Sequence, residues 1–411
     1  MNKVIVIGGG AAGMFAAAAA AGAGAQVQLW EKNEKLGKKI YITGKGRCNL
    51  TNACQDVQDL FDAVVTNPRF LYSAFYAFDN QAMMQFARDN GLRIKVERGQ
   101  RVFPESDKAS SVTKMFSDIL KKEHVQVRLN SPVDQVLIED GAAAGIRSGP
   151  RIERADRVIV CTGGLSYPST GSTGDGYRFA AAAGHKVTEP QPSLVPLTVE
   201  EDWCASLSGL SLKNVVFTLR QGKKTVYSDF GEMMFAHFGI TGPLVLTAST
   251  RVHKLKNGFP LQAEIDLKPA LDEKKLDERI LRDFSENQGR QLHNALGRLL
   301  PSGLIPVVIA QAGADPYLPV RSVTKAMRRS LAAAMKGLRM TVTGTRGFSE
   351  AIITQGGVNV KEIAPGSMES RLVRGLYFAG EVLDVDAVTG GFNLQIAWST
   401  GRAAGLAAAE G

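Results

Sequence analysis

The residues best suited to chemistry stand at the start of the chain. Gly8-Gly9-Gly10-Ala11-Ala12-Gly13 follows the short β-branched run Lys3-Val4-Ile5-Val6-Ile7, and Glu31 comes 21 positions after Gly10. In this spacing Gly8 permits a tight turn, Gly10 lets a pyrophosphate approach the backbone, and Gly13 lets a helix pack closely on a strand. The N-terminus of that helix offers free N–H groups and partial positive charge to phosphates. Glu31 can accept hydrogen bonds from an adenosine ribose. Together Gly8, Gly10, Ala12, Gly13 and Glu31 form the pattern of a dinucleotide site.

Three later segments select which dinucleotide. Arg157-Val158-Ile159-Val160-Cys161 runs into Thr162-Gly163-Gly164, a strand entering a glycine turn that resembles the second flavoprotein motif. Gly375-Leu376-Tyr377-Phe378-Ala379-Gly380-Glu381 is a strand ending in an acid, like the motif whose acid holds a ribityl chain. Gly391-Phe392-Asn393-Leu394 then opens the last helix, whose positive end would stabilise negative charge on a reduced flavin. FAD is therefore the expected cofactor, held by both ends of the chain. No second strand-GxGxxG-helix unit is present for a nicotinamide. NADH or NADPH is expected to visit as a transient hydride donor.

These residues need elements to position them. A helix is expected from Ala11 to about Ala21, strands at Gln26–Trp30, Gln126–Leu129, Gln135–Ile138 and Arg157–Val160, and a closing helix from Leu394 to about Ala409. Glu189–Pro196 holds three prolines in eight residues and reads as a domain crossing. Beyond it lie strand runs at Val215–Leu219 and Thr225–Tyr227, helical pieces around Lys274–Glu286, Gln291–Leu300 and Val323–Lys336, and strands again at Met340–Thr343 and Ala351–Thr354. The expected fold class is α/β: a discontinuous Rossmann-like FAD-binding domain (1–190 and 345–411), a β-rich insert (191–268 and 340–355) and a helical insert (269–339).

Composition narrows the function classes. The 411 residues include four cysteines, with no CxxC pair, and five scattered histidines, so a disulfide scaffold, a zinc ribbon and a metal centre are not expected. The Ala11–Ala25 run is too short and too small-sided for a membrane span, no signal peptide is read, and a cytoplasmic location is expected. GxxxxGK[ST] is absent, which argues against ATP hydrolysis. The net charge of +9 hints at a polyanionic partner.

The positive charge is concentrated. Lys35, Lys38, Lys39, Lys45 and Arg47 fall in 13 residues without an acid, and Arg321, Lys325, Arg328, Arg329, Lys336 and Arg339 fall in 19, again without one. On the helix expected at 323–336, most of the second set share a face, a candidate RNA-binding surface at Arg321, Lys325, Arg328 and Arg329 or a solvated face. The first stretch carries a resemblance. Gly37-Lys38-Lys39-Ile40-Tyr41-Ile42-Thr43-Gly44-Lys45-Gly46-Arg47-Cys48-Asn49-Leu50-Thr51-Asn52, the run Tyr167–Tyr177, Ala236–Pro243, Thr354–Val358 and Gly380–Asp386 resemble the BaiN/RdsA-like family of bacterial FAD-dependent oxidoreductases across essentially the whole chain. Ala387-Val388 departs from the Gly-Asp often found there. The resemblance implies a three-part fold, in which an FAD-binding domain carries an inserted β-barrel-like domain and an inserted helical domain, together with NAD(P)H-dependent reduction and FAD contacts extending to Lys32, Lys39, Gly44, Arg47, Cys48 and Val133. It implies reduction of a uridine in 23S ribosomal RNA to dihydrouridine, or alternatively a small-molecule reaction, either enone reduction or amino-acid oxidation.

The first two reactions share a conjugated alkene. Hydride reaches the β carbon of uracil and an acid protonates C5, which requires positioning, charge stabilisation and a proton source. A base in folded RNA must also be unstacked. Cys48 is one candidate donor, or a small buried residue. His237 is another, or a structural hydrogen-bonding residue. Tyr167 could stack on a base or on the flavin, or be an ordinary half-buried loop residue. Lys45 and Arg47 could pair with phosphates of FAD or of RNA.

Overall fold

The structure is a computed structural model and describes residues 1–255 and 258–410. The chain forms two compact units: Met1–Ser193 with Phe348–Gly411, and Leu194–Gly347 between them in sequence. Each has its own hydrophobic core. The expected fold class holds, as a Rossmann-like unit plus an insert containing a closed barrel.

The first unit is built on a five-stranded parallel sheet in the order Leu376–Phe378, Arg157–Val160, β1 (Lys3–Ile7), β2 (Gln26–Trp30) and Gln126–Arg128. β1 is central, and Val4 to Ile7 are buried, which is why it is continuously β-branched rather than alternating. The connecting helix α1 (Ala11–Gly22) is nearly all alanine, the best helix former. Its small side chains serve packing as well as propensity. The C-terminal helix Phe392–Glu410 lies against it, and a Cβ added at Gly401 or Gly405 would overlap the carbonyl oxygens of Ala12 or Ala16. Backbone-to-backbone approach thus replaces a knob-into-hole interface. Buried polar bonds lock the same helix: Trp398 Nε1 donates to the Leu50 carbonyl at 2.9 Å, and Thr51 Oγ1 to Gln395 Oε1 at 2.7 Å.

The second unit is a six-stranded antiparallel barrel. Leu197–Val199, Gly239–Thr241, Lys224–Ala236, Ser211–Gln221, Leu261–Asp266 and Leu338–Thr345 close back onto the first strand. Helices Glu273–Ser285, Leu304–Gln311 and Lys325–Lys336 share its core. The β-rich and helical inserts read from the sequence are therefore one unit, with boundaries at 194 and 347.

The proline-rich crossing is itself a strand, Val187–Ser193, paired antiparallel with Ile353–Val358 in the first unit. Its prolines sit in a two-stranded edge arrangement with a register shift between Thr188 and Gln191, where a missing N–H is tolerated. Ile353–Val358 accordingly leaves the barrel. Gln135–Glu139, a strand as expected, lies in a three-stranded antiparallel meander.

Candidate functional site

The glycine turn does what its spacing demands. Gly8 sits at φ +100°, and a Cβ there would lie 2.5 Å from the Cys161 carbonyl oxygen. A Cβ on Gly13 would overlap the Gly8 carbonyl oxygen. Gly10 is different: it has ordinary extended angles as N-cap of α1, no side chain caps the helix, and a Cβ added there meets nothing within 4 Å. Two glycines serve the fold and the third serves open space at a helix N-terminus. The first-turn N–H groups of α1 point where an anion is best held.

Glu31 directly follows β2 and is buried. Its Oε2 accepts from Gly9 N at 2.7 Å, and its Oε1 from Asn33 N at 2.8 Å and Asn33 Nδ2 at 2.7 Å. A carboxylate has about four acceptor positions, so one stays open for a hydroxyl. The second acid, Glu381, repeats this economy. Its Oε1 accepts from Ser166 Oγ (2.7 Å) and Thr354 N (2.8 Å), and its Oε2 from Lys39 Nζ (2.9 Å). Lys39 also donates to Ser166 Oγ at 2.8 Å. Ser166 and Thr354 were not singled out by sequence, although each lies in or beside a glycine-containing motif.

Between the two acids, Thr162-Gly163-Gly164 follows the Arg157–Val160 strand. Gly163 has φ +72°, and the buried Thr162 Oγ1 has no hydrogen-bond partner among the described residues. An open helix N-terminus with room at Gly10 and two partly satisfied carboxylates fit a polyhydroxylated diphosphate such as FAD. The start of the C-terminal helix is shaped by Gly390 (φ +128°) and Gly391 (φ +101°). Asn393 ties that turn down: its Oδ1 accepts from Ala387 N, and its Nδ2 donates to the Ala387 carbonyl. Phe392 and Leu394 beside it are half-buried, and Val133 is buried in the core of the same unit.

Other residues singled out by sequence have different settings. Lys32 donates to Thr173 Oγ1 and pairs with Asp175 at 2.7 Å. Arg47 pairs with Glu97 (2.9 Å) and Asp107 (3.2 Å) and lies over the Phe103 ring, so its guanidinium is already answered by acids instead of a phosphate. Those acids are 50 and 60 residues away, beyond any local pattern. Gly44 and Lys45 adopt left-handed angles, and Lys45 is exposed.

The two proton-donor candidates separate. Cys48 has no exposed surface, lies in the hydrophobic core, and burial pushes its thiol up to about 12. A sealed thiol that holds its proton this firmly does not serve a substrate, and the alternative of a small buried residue is the one observed. His237 is exposed at the turn joining Lys224–Ala236 to Gly239–Thr241, edge-on to Phe238. Tyr167 is a half-buried loop residue at φ +49°, its N–H bonded to the Phe348 carbonyl.

The basic stretch 321–339 is also sorted by the structure. Arg328 makes a two-point pair with Asp277, at 3.0 and 3.2 Å, with little exposure, so it is a strut between helices Glu273–Ser285 and Lys325–Lys336. Its expected place in an RNA surface is withdrawn. Lys336 pairs with Asp266, and Arg339 with Glu264. Arg321, Lys325 and Arg329 are exposed. Among the described residues no cluster of His, Cys, Asp and Glu could hold a metal, and no helix is long and apolar enough to cross a membrane.

Comparison with known proteins agrees with this geometry. Residues 2–407 match the family described as "HI0933-like protein Rossmann domain". The chain is 33% identical over 413 residues to the 3-dehydro-bile acid delta(4,6)-reductase of Clostridium scindens, covering 100% of both chains. It is 33% identical over 411 residues to the ribosomal RNA dihydrouridine synthase of Haemophilus influenzae, covering 98% of each. Among solved structures, it matches the fold of the 3-ketosteroid delta1-dehydrogenase of Sterolibacterium denitrificans with a TM-score of 0.53 at 14% identity, covering 100% of both.

Proposed function

Because the chain belongs to the HI0933-like Rossmann-domain family, we propose that it is an FAD-dependent reductase that uses NAD(P)H to convert a uridine of 23S ribosomal RNA to dihydrouridine. The observation that carries the redox half is the Gly10 cradle: an open, uncapped helix N-terminus flanked by Glu31 and Glu381, each with one acceptor position to spare. The RNA half is supported by full-length similarity to a relative of that name and by exposed cations at Arg321, Lys325 and Arg329.

When bound, FAD supplies hydride transfer from a nicotinamide to an electron-poor alkene. The chain supplies the rest. The first turn of α1 holds the pyrophosphate, Glu31 orients the adenosine ribose, and Glu381 takes a ribityl hydroxyl. Ser166 and Lys39 fix the Glu381 carboxylate in place. The N-terminal end of helix Phe392–Glu410 would present positive partial charge to a bound flavin ring. Cys48, sealed in the core, does not supply the proton to C5.

Full-length similarity to a bile-acid reductase favours a second reading, reduction of a small enone by the same site. The reactions share chemistry and differ in substrate size and charge. Incubating the purified protein with NAD(P)H and unmodified 23S ribosomal RNA, then digesting to nucleosides, separates them. Dihydrouridine at one position supports the first reading, and reduction of a steroid enone without it supports the second.

A further inference from the structure

Residues 287–339 contain eight lysines and arginines and one acid, Asp315. Four of the eight have answers in the fold. Arg298 pairs with Glu286, Arg328 with Asp277, Lys336 with Asp266 and Arg339 with Glu264. The other four, Arg290, Arg321, Lys325 and Arg329, are exposed and enter no ion pair among the described residues.

Arg290 and Arg321 border a short extended pairing, and Lys325 and Arg329 lie in the helix that follows it. Gln291 bridges Pro319 antiparallel, Leu292 N donates to the Leu318 carbonyl at 2.9 Å, and Val320 N to the Arg290 carbonyl at 2.9 Å. Extended chains alternate their faces. Leu292 and Val320 face the core and are buried. Gln291, Tyr317, Pro319 and Arg321 are exposed on the other side. The Tyr317 ring is 67% exposed and meets the His293 ring edge-on at 5.6 Å, which fixes the imidazole beside it. His293 Nδ1 donates to the Pro316 carbonyl at 3.0 Å. Asp315 spends Oδ1 on Tyr317 N, closing the turn. Lys325 and Arg329 continue the cationic surface along the first two turns of the following helix.

We infer that this face is a platform for an unpaired RNA segment: a base stacks on Tyr317, and Arg290, Arg321, Lys325 and Arg329 neutralise the flanking phosphates. The inference rests on the ribosomal RNA reading above and adds where the substrate is gripped. A largely exposed aromatic ring amid unanswered cations is what single-stranded nucleic acid uses, whereas duplex RNA offers phosphates but no free base face. A small steroid would gain nothing from charges spread over this surface.

The test uses the full-length protein loaded with its cofactor and a fluorescein-labelled oligouridylate of about ten nucleotides, within the site sizes usual for such surfaces. Tyr317→Ala should weaken binding about 5- to 150-fold, the effect of losing one stacked base. Tyr317→Phe should bind like wild type, and a same-length RNA duplex should not distinguish the three proteins. Lys325→Ala with Arg329→Ala should flatten the slope of log affinity against log salt by about 1.4. Unchanged thermal unfolding and flavin content confirm the fold, since truncating an exposed ring opens no cavity. If Tyr317→Ala binds oligouridylate like wild type, or loses duplex and single strand equally, the platform is wrong. Should that variant bind normally while wild type still makes dihydrouridine, only the platform falls. If wild type neither binds oligouridylate nor modifies ribosomal RNA, both fall.

Discussion

Replacing Gly10 with valine separates cofactor binding from folding, because the fold asks nothing of that position. Its backbone angles suit any residue, and an added Cβ meets no atom within 4 Å. A side chain there instead occupies the approach to the free N–H groups of α1. Losing two charge-assisted hydrogen bonds to a pyrophosphate, at roughly 1.5–3 kcal/mol each, weakens FAD by about a hundred- to ten-thousand-fold. Saturating cofactor at about a thousand times its Kd adds about 4 kcal/mol to wild type, or on the order of 10 °C in Tm. The variant should purify colourless, unfold near the temperature of wild-type apoprotein, and gain little on FAD addition. Gly13→Ala is the counterpart: its Cβ overlaps the Gly8 carbonyl oxygen, so it should lower the Tm of the apoprotein itself, by about 1–3 kcal/mol or more of stability. Absorbance at the flavin band and differential scanning calorimetry read both. A Gly10→Val protein that purifies fully loaded would refute the placement of the pyrophosphate.

Other outcomes follow from the same geometry. Gly405→Val drives a side chain into the Ala16 carbonyl and should cost about 1–3 kcal/mol, read from denaturant midpoints, with unfolding of the first unit. His185 is buried between Glu362 Oε2 (3.1 Å) and Ser370 Oγ (2.8 Å), and burial holds its pKa below the ordinary value in spite of the glutamate. The unfolded chain takes up that proton near pH 6.5 and the folded chain does not, so this contribution is complete above about pH 6.5 and is lost as pH falls from there toward the folded value. Denaturant midpoints should therefore drop more steeply with acid in wild type than in His185→Gln, and equal slopes would contradict it. Arg328→Ala leaves Asp277 unanswered and should cost about 2 kcal/mol, between exposed and buried pairs, without changing the salt dependence of RNA binding. Cys48→Ala should retain flavin and turnover within a small factor, measured by steady-state NAD(P)H oxidation.

The dinucleotide half of the site was legible because it is local. A strand, a glycine turn, a helix and an acid occupy residues 3–31, and each glycine has a steric reason that a sequence displays. Part of the barrel's long hairpin, 211–221 and 224–236, was legible as strand runs at 215–219 and 225–227, because a β-branched run and a Gln-Gly-Lys turn are also local. What stayed hidden depends on distant partners. Arg328 looked like its neighbours on a basic helix until Asp277, 51 residues earlier, claimed it. Arg47 was claimed by Glu97 and Asp107 in the same way. The Leu304–Gln311 helix escaped because Pro306 interrupts a short apolar run, although a proline in the first turn loses no intrahelical bond. Tyr317 carried no motif, and only the pairing of 290–293 with 316–320 puts it on a face with Gln291 and Arg321.

The central claim is that this cradle reduces a nucleobase in RNA. The most direct measurement is nucleoside mass spectrometry of unmodified 23S ribosomal RNA after reaction with the purified protein and NADH or NADPH, with Gly10→Val as the matched control. Conversion of one uridine to dihydrouridine by wild type, absent in the control, is the predicted result. Reduction of a steroid enone by the flavin-loaded protein, with every uridine left intact, would contradict it.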